Sequence, residues 1–235
     1  MTAPQNAEPV PAWLASKIRR AAFFSCLGWF FPLAAAGALI AGIALAMAFG
    51  AFESKFPPLF WTALFLVGFY FLGREFTASL RVLFSPERSE QARYLRGLGS
   101  MADIANRIYG ELQNPANPKF GKEATLTQNW LVVSGGGRFA VRRLEDLVWG
   151  FVKATTTKLN WVVPIWRSHS AVFRCAVGPD AEAKCSQEQA EGLVRSVAER
   201  CPWILSGHSE ELEKLWDADR AAFVATIRES RKPKA

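Results

Sequence analysis

The chain has 235 residues, enough for one ordinary domain and a small extra module, and half of them are apolar. Lysine and arginine number 28 against 21 aspartate and glutamate, a net charge of +7, which is too modest a basic excess to point to nucleic acid. The four cysteines, Cys26, Cys175, Cys185 and Cys201, form no C-x-x-C and have no histidine at metal-ligand spacing, so composition offers no metal centre.

Residues 1–20 hold Pro4, Pro9 and Pro11 with little periodicity and read as a disordered tail. Residues 21–52 then contain no charged side chain, well beyond the roughly 20 helical residues that a bilayer core requires. A secretory signal is the competing reading, but its apolar stretch is typically about 7–15 residues, and a second uncharged run follows at 56–73. Two retained transmembrane helices with a juxtamembrane extension are therefore expected over 21–84, with Gly28 and Pro32 kinking the first and leaving 32–52 as its main crossing.

The flanking charges orient the pair. Lys17, Arg19 and Arg20 precede the first span, Arg74, Arg81 and Arg88 follow the second, and the connecting turn with Pro57 and Pro58 offers only Lys55 balanced by Glu53. Both termini are thus expected in the cytoplasm. Ala38, Gly42, Ala46 and Gly50 recur every fourth residue, a smooth ridge suited to close helix packing, either within the hairpin or between copies of the chain. Neither span carries an ionisable residue, which speaks against a proton or ion pathway built by these helices alone.

Residues 85–118 are expected to form linking helices: Ser85 as N-cap with Pro86 at the first helical position, then a second start at Ser100 with Asp103. Between 119 and 205 the period changes to that of strands. Short runs at 124–126 and 130–133, a turn at Gly135, Gly136 and Gly137, a strand at 139–142 and a long strand at 146–158 are expected. Two separate strands at 161–166 and 171–177, a short one at 183–185 and a helix at 187–201 complete this α+β unit. Residues 206–235 read as a C-terminal helix capped by Ser209, with a basic tail. Cys175 and Cys185 are placed to face one another across a hairpin, with free thiols expected in a reducing cytosol.

Three segments carry a resemblance: Thr125-Leu126-Thr127-Gln128-Asn129-Trp130-Leu131-Val132, then Leu144-Glu145-Asp146-Leu147-Val148-Trp149, then Cys201-Pro202-Trp203 with Gly207-His208-Ser209-Glu210-Glu211-Leu212. Together they resemble an uncharacterised family of two-span bacterial membrane proteins. The resemblance implies an antiparallel pleckstrin-homology-like sheet closed by C-terminal helices, in a multi-pass protein of the inner membrane. It transfers a fold and no active site.

No catalytic residue, cofactor site or metal site emerges from the residues themselves. Gly135 to Gly137 are followed by Arg138 and Phe139, not by the Gly-Lys-Ser/Thr of a phosphate loop. Ser168 and Ser170 flank His169, but neighbours on a strand point to opposite faces and form no nucleophile–base pair. One asymmetry remains. Arg138, Arg142, Arg143, Lys153, Lys158, Arg167 and Arg174 face only Glu145 and Asp146 in the same segment, and a basic sheet face beside a membrane suits anionic phospholipid headgroups or a protein partner. The sequence thus reads as a membrane-anchored binding or scaffold protein without evident catalysis. The alternative is an accessory subunit that docks on a membrane transporter or enzyme complex through its helices.

Overall fold

The computed structural model describes residues 9–48, 58–135, 138–159 and 163–230. Helix α1 (Ala12–Ala48) runs through Pro32 as one continuous helix. Leu14, Ile18, Ala22 and Cys26 recur at every fourth position, so they form one stripe, and all four are buried. Leu14 and Ile18 pack with Leu95 of α3 (Glu90–Gly97) and with Ile104 and Ile108 of α4 (Met101–Leu112). Burying these two side chains contributes about 3–6 kcal/mol. The first turns of α1 are therefore domain core, which corrects the disordered tail expected over 1–20 from Ala12 onward; residues 1–8 lie outside the described residues.

Beyond Cys26 the helix changes character: Phe30, Phe31 and Leu39 are exposed and none of the described side chains is buried. Helix α2 (Pro58–Phe84) lies antiparallel against α1, with Ser25 Oγ 3.0 Å from Ser79 Oγ. Pro58, expected in the connecting turn, is instead the first residue of α2, where its missing N–H costs nothing. By length and composition α1 is the only helix among the described residues that is long and apolar enough to cross a membrane. Part of the second expected span lies outside those residues.

A 3₁₀ turn (Pro86–Arg88) follows α2, and the expected cap moves with it. Ser85 makes no side-chain cap bond, whereas Ser89 Oγ accepts from Ala92 N at 3.1 Å and starts α3. The strands β1 (Lys119–Phe120), β2 (Ala124–Leu126), β3 (Trp130–Gly135) and β4 (Arg138–Arg143) form one antiparallel sheet in that order. Of the glycine turn, Gly136 and Gly137 lie outside the described residues. A second sheet has the order β7-β6-β5-β8, from β5 (Leu147–Leu159), β6 (Val163–Cys175), β7 (Ala181–Cys185) and β8 (Leu205–Ser206), with β8 parallel to β5. The two strands expected at 161–166 and 171–177 are thus one. Its polar middle, Arg167 to Ser170, stays in register with Lys153 to Thr156 of β5.

The main core lies between the sheets, where Leu131, Val133 and Phe173 meet Leu193 and Val197 of α5 (Gln187–Arg200). Ser186 and Gln189 start α5 with a reciprocal capping box. A register shift between Leu147 and Trp149 places Leu147 in this core and both Val148 and Trp149 on the opposite face of the sheet. That face is covered by Trp216 of α6 (Glu210–Ala218) and Phe223 of α7 (Arg220–Ser230). The single C-terminal helix expected here is broken because Asp219 Oδ1 accepts from Ala222 N at 2.9 Å and so caps α7. The molecule is a long apolar N-terminal helix with its partner α2, joined to a mixed α and antiparallel β domain with C-terminal helices.

Candidate functional site

The basic residues of the strand segment do not form one face. Arg142 is 2% exposed: its Nε donates to Pro179 O at 2.6 Å, its Nη1 donates to Gln91 Oε1 and Val141 O at 2.6 Å each, and its guanidinium lies 4.7 Å from the Tyr94 ring centre. Burial pulls its pKa below the ordinary guanidinium value. Such a side chain fastens α3 and β4 to the turn after β6 and is not available to a surface ligand. That turn is shaped for it, because Gly178 has φ +79° and Tyr94 packs where a Cβ would stand.

Three of the other cations are answered by carboxylates, some near in sequence and some distant. Arg138 pairs with Glu182, Arg143 with Glu145 and Asp146, and Arg174 with Asp180 at 2.6 Å and Glu213 at 3.8 Å. Lys153 and Arg167 are exposed and make no ion pair among the described residues. The Lys158 side chain lies outside the described residues.

Several of these groups border a cleft of about 630 Å³ where the foot of the α1–α2 hairpin meets the sheets. Ser25 and Ser79 line it from the helices, and Phe151, Lys153, Arg174 and Asp180 from the second sheet. The two serines hydrogen-bond to each other, and no histidine or cysteine borders the cleft. Among the described residues no group of His, Cys, Asp and Glu is placed to hold a metal. His169 lies opposite Cys185 in the β6–β7 register, and His208 contacts Glu213 at 3.2 Å. Cys175 lies opposite Leu147, so the two cysteines expected to face each other do not. Burial pushes the Cys175 thiol up to about 12, which leaves it protonated and inert at neutral pH.

The segments that carried the resemblance are structural clasps. Glu111 of α4 accepts from Thr127 Oγ1 at 2.6 Å, Asn129 N at 3.0 Å and Asn129 Nδ2 at 2.7 Å, and so closes the β2–β3 turn. Asp146 Oδ2 accepts from Tyr94 Oη at 2.6 Å, Trp203 Nε1 donates to Leu147 O at 3.2 Å, and Trp149 Nε1 donates to Gly207 O at 2.7 Å. Their side chains bind the chain to itself.

A second groove, of about 730 Å³, runs along α1 and brings Lys17 and Arg20 beside Lys119 and Lys122. Sequence reasoning used the first two only to orient the helix and passed over the others. The available signal was a pair of lysines flanking a short turn at Gly121, whose φ is +65°. On the ridge, Ala38 and Gly42 are exposed, and a Cβ added to Gly42 would meet nothing within 4 Å. The Ala46 side chain and Gly50 lie outside the described residues. No known protein family, curated protein or solved structure matches this chain.

Proposed function

We propose that this protein is a membrane-anchored binding or scaffold protein: the α1–α2 hairpin sits in the inner membrane, and the mixed domain stands on its cytoplasmic side. The observation that carries the reading is the continuity of α1. One rigid helix begins in the domain core at Leu14 and Ile18 and ends in an exposed apolar belt at Phe30, Phe31 and Leu39. An anchor built this way fixes the domain's orientation as well as its location, so both grooves at the hairpin foot face the membrane edge. Flanking cations at Lys17, Arg19, Arg20, Arg74 and Arg81 favour termini in the cytoplasm.

Support for a pleckstrin-homology-like reading of the domain, and with it the two-span family, comes from strand order. The consecutive antiparallel strands β1 to β4 and β5 to β7 are followed by the closing helix α5, after which the short β8 adds in parallel beside β5. A role in binding and not in catalysis fits two clefts whose polar groups are answered within the chain or are lysine and arginine. The test is alkaline carbonate extraction of membranes, with protease accessibility of the C-terminal tail in inverted vesicles. Retention in the pellet with cleavage only in inverted vesicles supports the reading; release by carbonate refutes the anchor.

A second reading, an accessory subunit docking through its helices, is favoured by the exposure of Ala38 and Gly42 among the described residues. Gly42→Leu is expected to lower recovery of a copurifying membrane partner, or of a second copy of the chain, if that ridge is used. Unchanged recovery removes this reading.

A further inference from the structure

We propose that the groove between α1 and the β1–β2 hairpin binds the phosphate headgroup of an anionic phospholipid in the leaflet from which α1 emerges. The inference rests on the membrane-anchored reading above. Lys17, Arg20, Lys119 and Lys122 line this groove together with Arg138; Arg138 is paired with Glu182, whereas the other four are exposed and make no ion pair among the described residues. Among the described residues only one carboxylate, that of Glu123, lines it with them, and its Oε2 is engaged by the backbone N–H of Lys184 at 3.0 Å. Exposed cations that share one groove with a single, already engaged carboxylate favour an anion there.

Topology alone does not explain the cluster. Lys17 and Arg20 suffice as the positive flank of a span, and a flank needs no contribution from a distant hairpin. The fold nevertheless carries Lys119 and Lys122 to the same groove. Its position matches a headgroup layer: Arg20 lies 6.0 Å from the Phe24 ring, and Phe23 and Phe24 open the exposed apolar belt. From Phe24 back to Arg20 is about 6 Å along the helix, and to Lys17 about 10 Å, at roughly 1.5 Å per residue. The polar layer of one leaflet is about 5–8 Å thick, so the Arg20 backbone falls within it and that of Lys17 just outside it, within reach of its long side chain. Trp13 and Tyr109, with ring centres 5.6 Å apart, form the inner wall, amphipathic residues suited to the same zone. The buried Trp13 Nε1 has no acceptor among the described residues, and a headgroup oxygen is an acceptor of the right kind.

The test is calorimetric titration of the full chain, in neutral detergent micelles, with short-chain phosphatidylglycerol, short-chain phosphatidylcholine and inorganic phosphate. Phosphatidylglycerol is expected to bind, more weakly as salt rises, and the other two to bind at least tenfold more weakly. Lys119→Gln with Lys122→Gln is expected to lower its affinity about fivefold per lysine, and Lys17→Gln with Arg20→Gln by a similar factor. These pairs lie on different elements, so misfolding of one leaves the other to decide. Lys153→Gln with Arg167→Gln, outside the groove, is expected to change nothing. Equal binding of both lipids, binding of phosphate as tight as the lipid's, or an equal loss in the Lys153 and Arg167 pair would each overturn the assignment. Carbonate extraction of the groove variants separates the two claims: variants that stay membrane-bound but fail these tests refute the groove and leave the anchor standing.

Discussion

Two regions of the molecule are rich in cations, and they differ in what surrounds them. In the strand segment, Arg138 and Arg174 meet carboxylates outside their own strands, Arg143 meets its near neighbours Glu145 and Asp146, and Arg142 is buried against Gln91, Pro179 and Tyr94. In the groove along α1, Lys17, Arg20, Lys119 and Lys122 make no ion pair among the described residues; Arg138, at the edge of both regions, also lines the groove but is paired with Glu182. The paired and buried strand cations are therefore stabilising parts of the fold, whereas the four groove cations, like Lys153 and Arg167 of the strand segment, make no ion pair among the described residues. A run of charge along the sequence says little about charge in space; what matters is whether the tertiary structure supplies the counter-ion.

Substitutions separate the two regions, beginning with the largest effect. Arg142→Ala removes charge-assisted bonds to Gln91 and Pro179 and leaves their oxygens buried, so unfolding of the full chain in detergent is expected to become easier by about 3 kcal/mol. A loss under about 1 kcal/mol would place Arg142 with the groove cations instead. Cys175 reports the same event: its buried thiol is expected to resist alkylation in the folded parent chain at pH 8 and to label faster in Arg142→Ala as the fold opens. Asp180→Asn strips the partner of Arg174 and is expected to cost about 1–2 kcal/mol, less than Arg142→Ala because both side chains remain partly solvated.

Glu111→Gln probes a clasp outside both regions and is expected to cost about 1 kcal/mol at neutral pH. Burial alone would raise the pKa of Glu111, but its hydrogen bonds from Thr127 and Asn129 outweigh that and hold it below the usual carboxylate value. A depressed carboxylate stabilises the fold above its unfolded pKa, near about 4.3, and loses that contribution as pH falls through its folded value. The difference between parent and variant in urea unfolding is therefore expected to shrink below about pH 4. A difference that grows in acid would reverse the sign of the shift. The smallest effect belongs to Lys119→Gln with Lys122→Gln, expected to alter stability by less than about 0.5 kcal/mol in the absence of lipid.

What the sequence made legible was periodic and local. The uncharged run of α1, the continuation of α2 to Phe84, the pairing of β3 with β4 around Gly135 and the inner face of α5 all followed from spacing. The fourfold spacing of Leu14 and Ile18 was equally visible, but the prolines before them suggested a tail, and only the presence of α3 and α4 gives that stripe something to pack on. The polar stretch Arg167 to Ser170 looked like a break because nothing local shows that β5 continues beside it. The candidate site was the least legible. Glu182 and Glu213 are remote in sequence from the arginines they pair with, and Lys119 and Lys17 come to line one groove only through the whole fold.

The contrast between the two regions can be read in one experiment: amide hydrogen exchange of the full chain in nanodiscs of phosphatidylcholine, with and without phosphatidylglycerol. Slower exchange over residues 119–125 on adding the anionic lipid, with no change over 167–174, is the predicted result. Protection of 167–174 with none over 119–125 would contradict it and return the lipid-facing role to the strand segment.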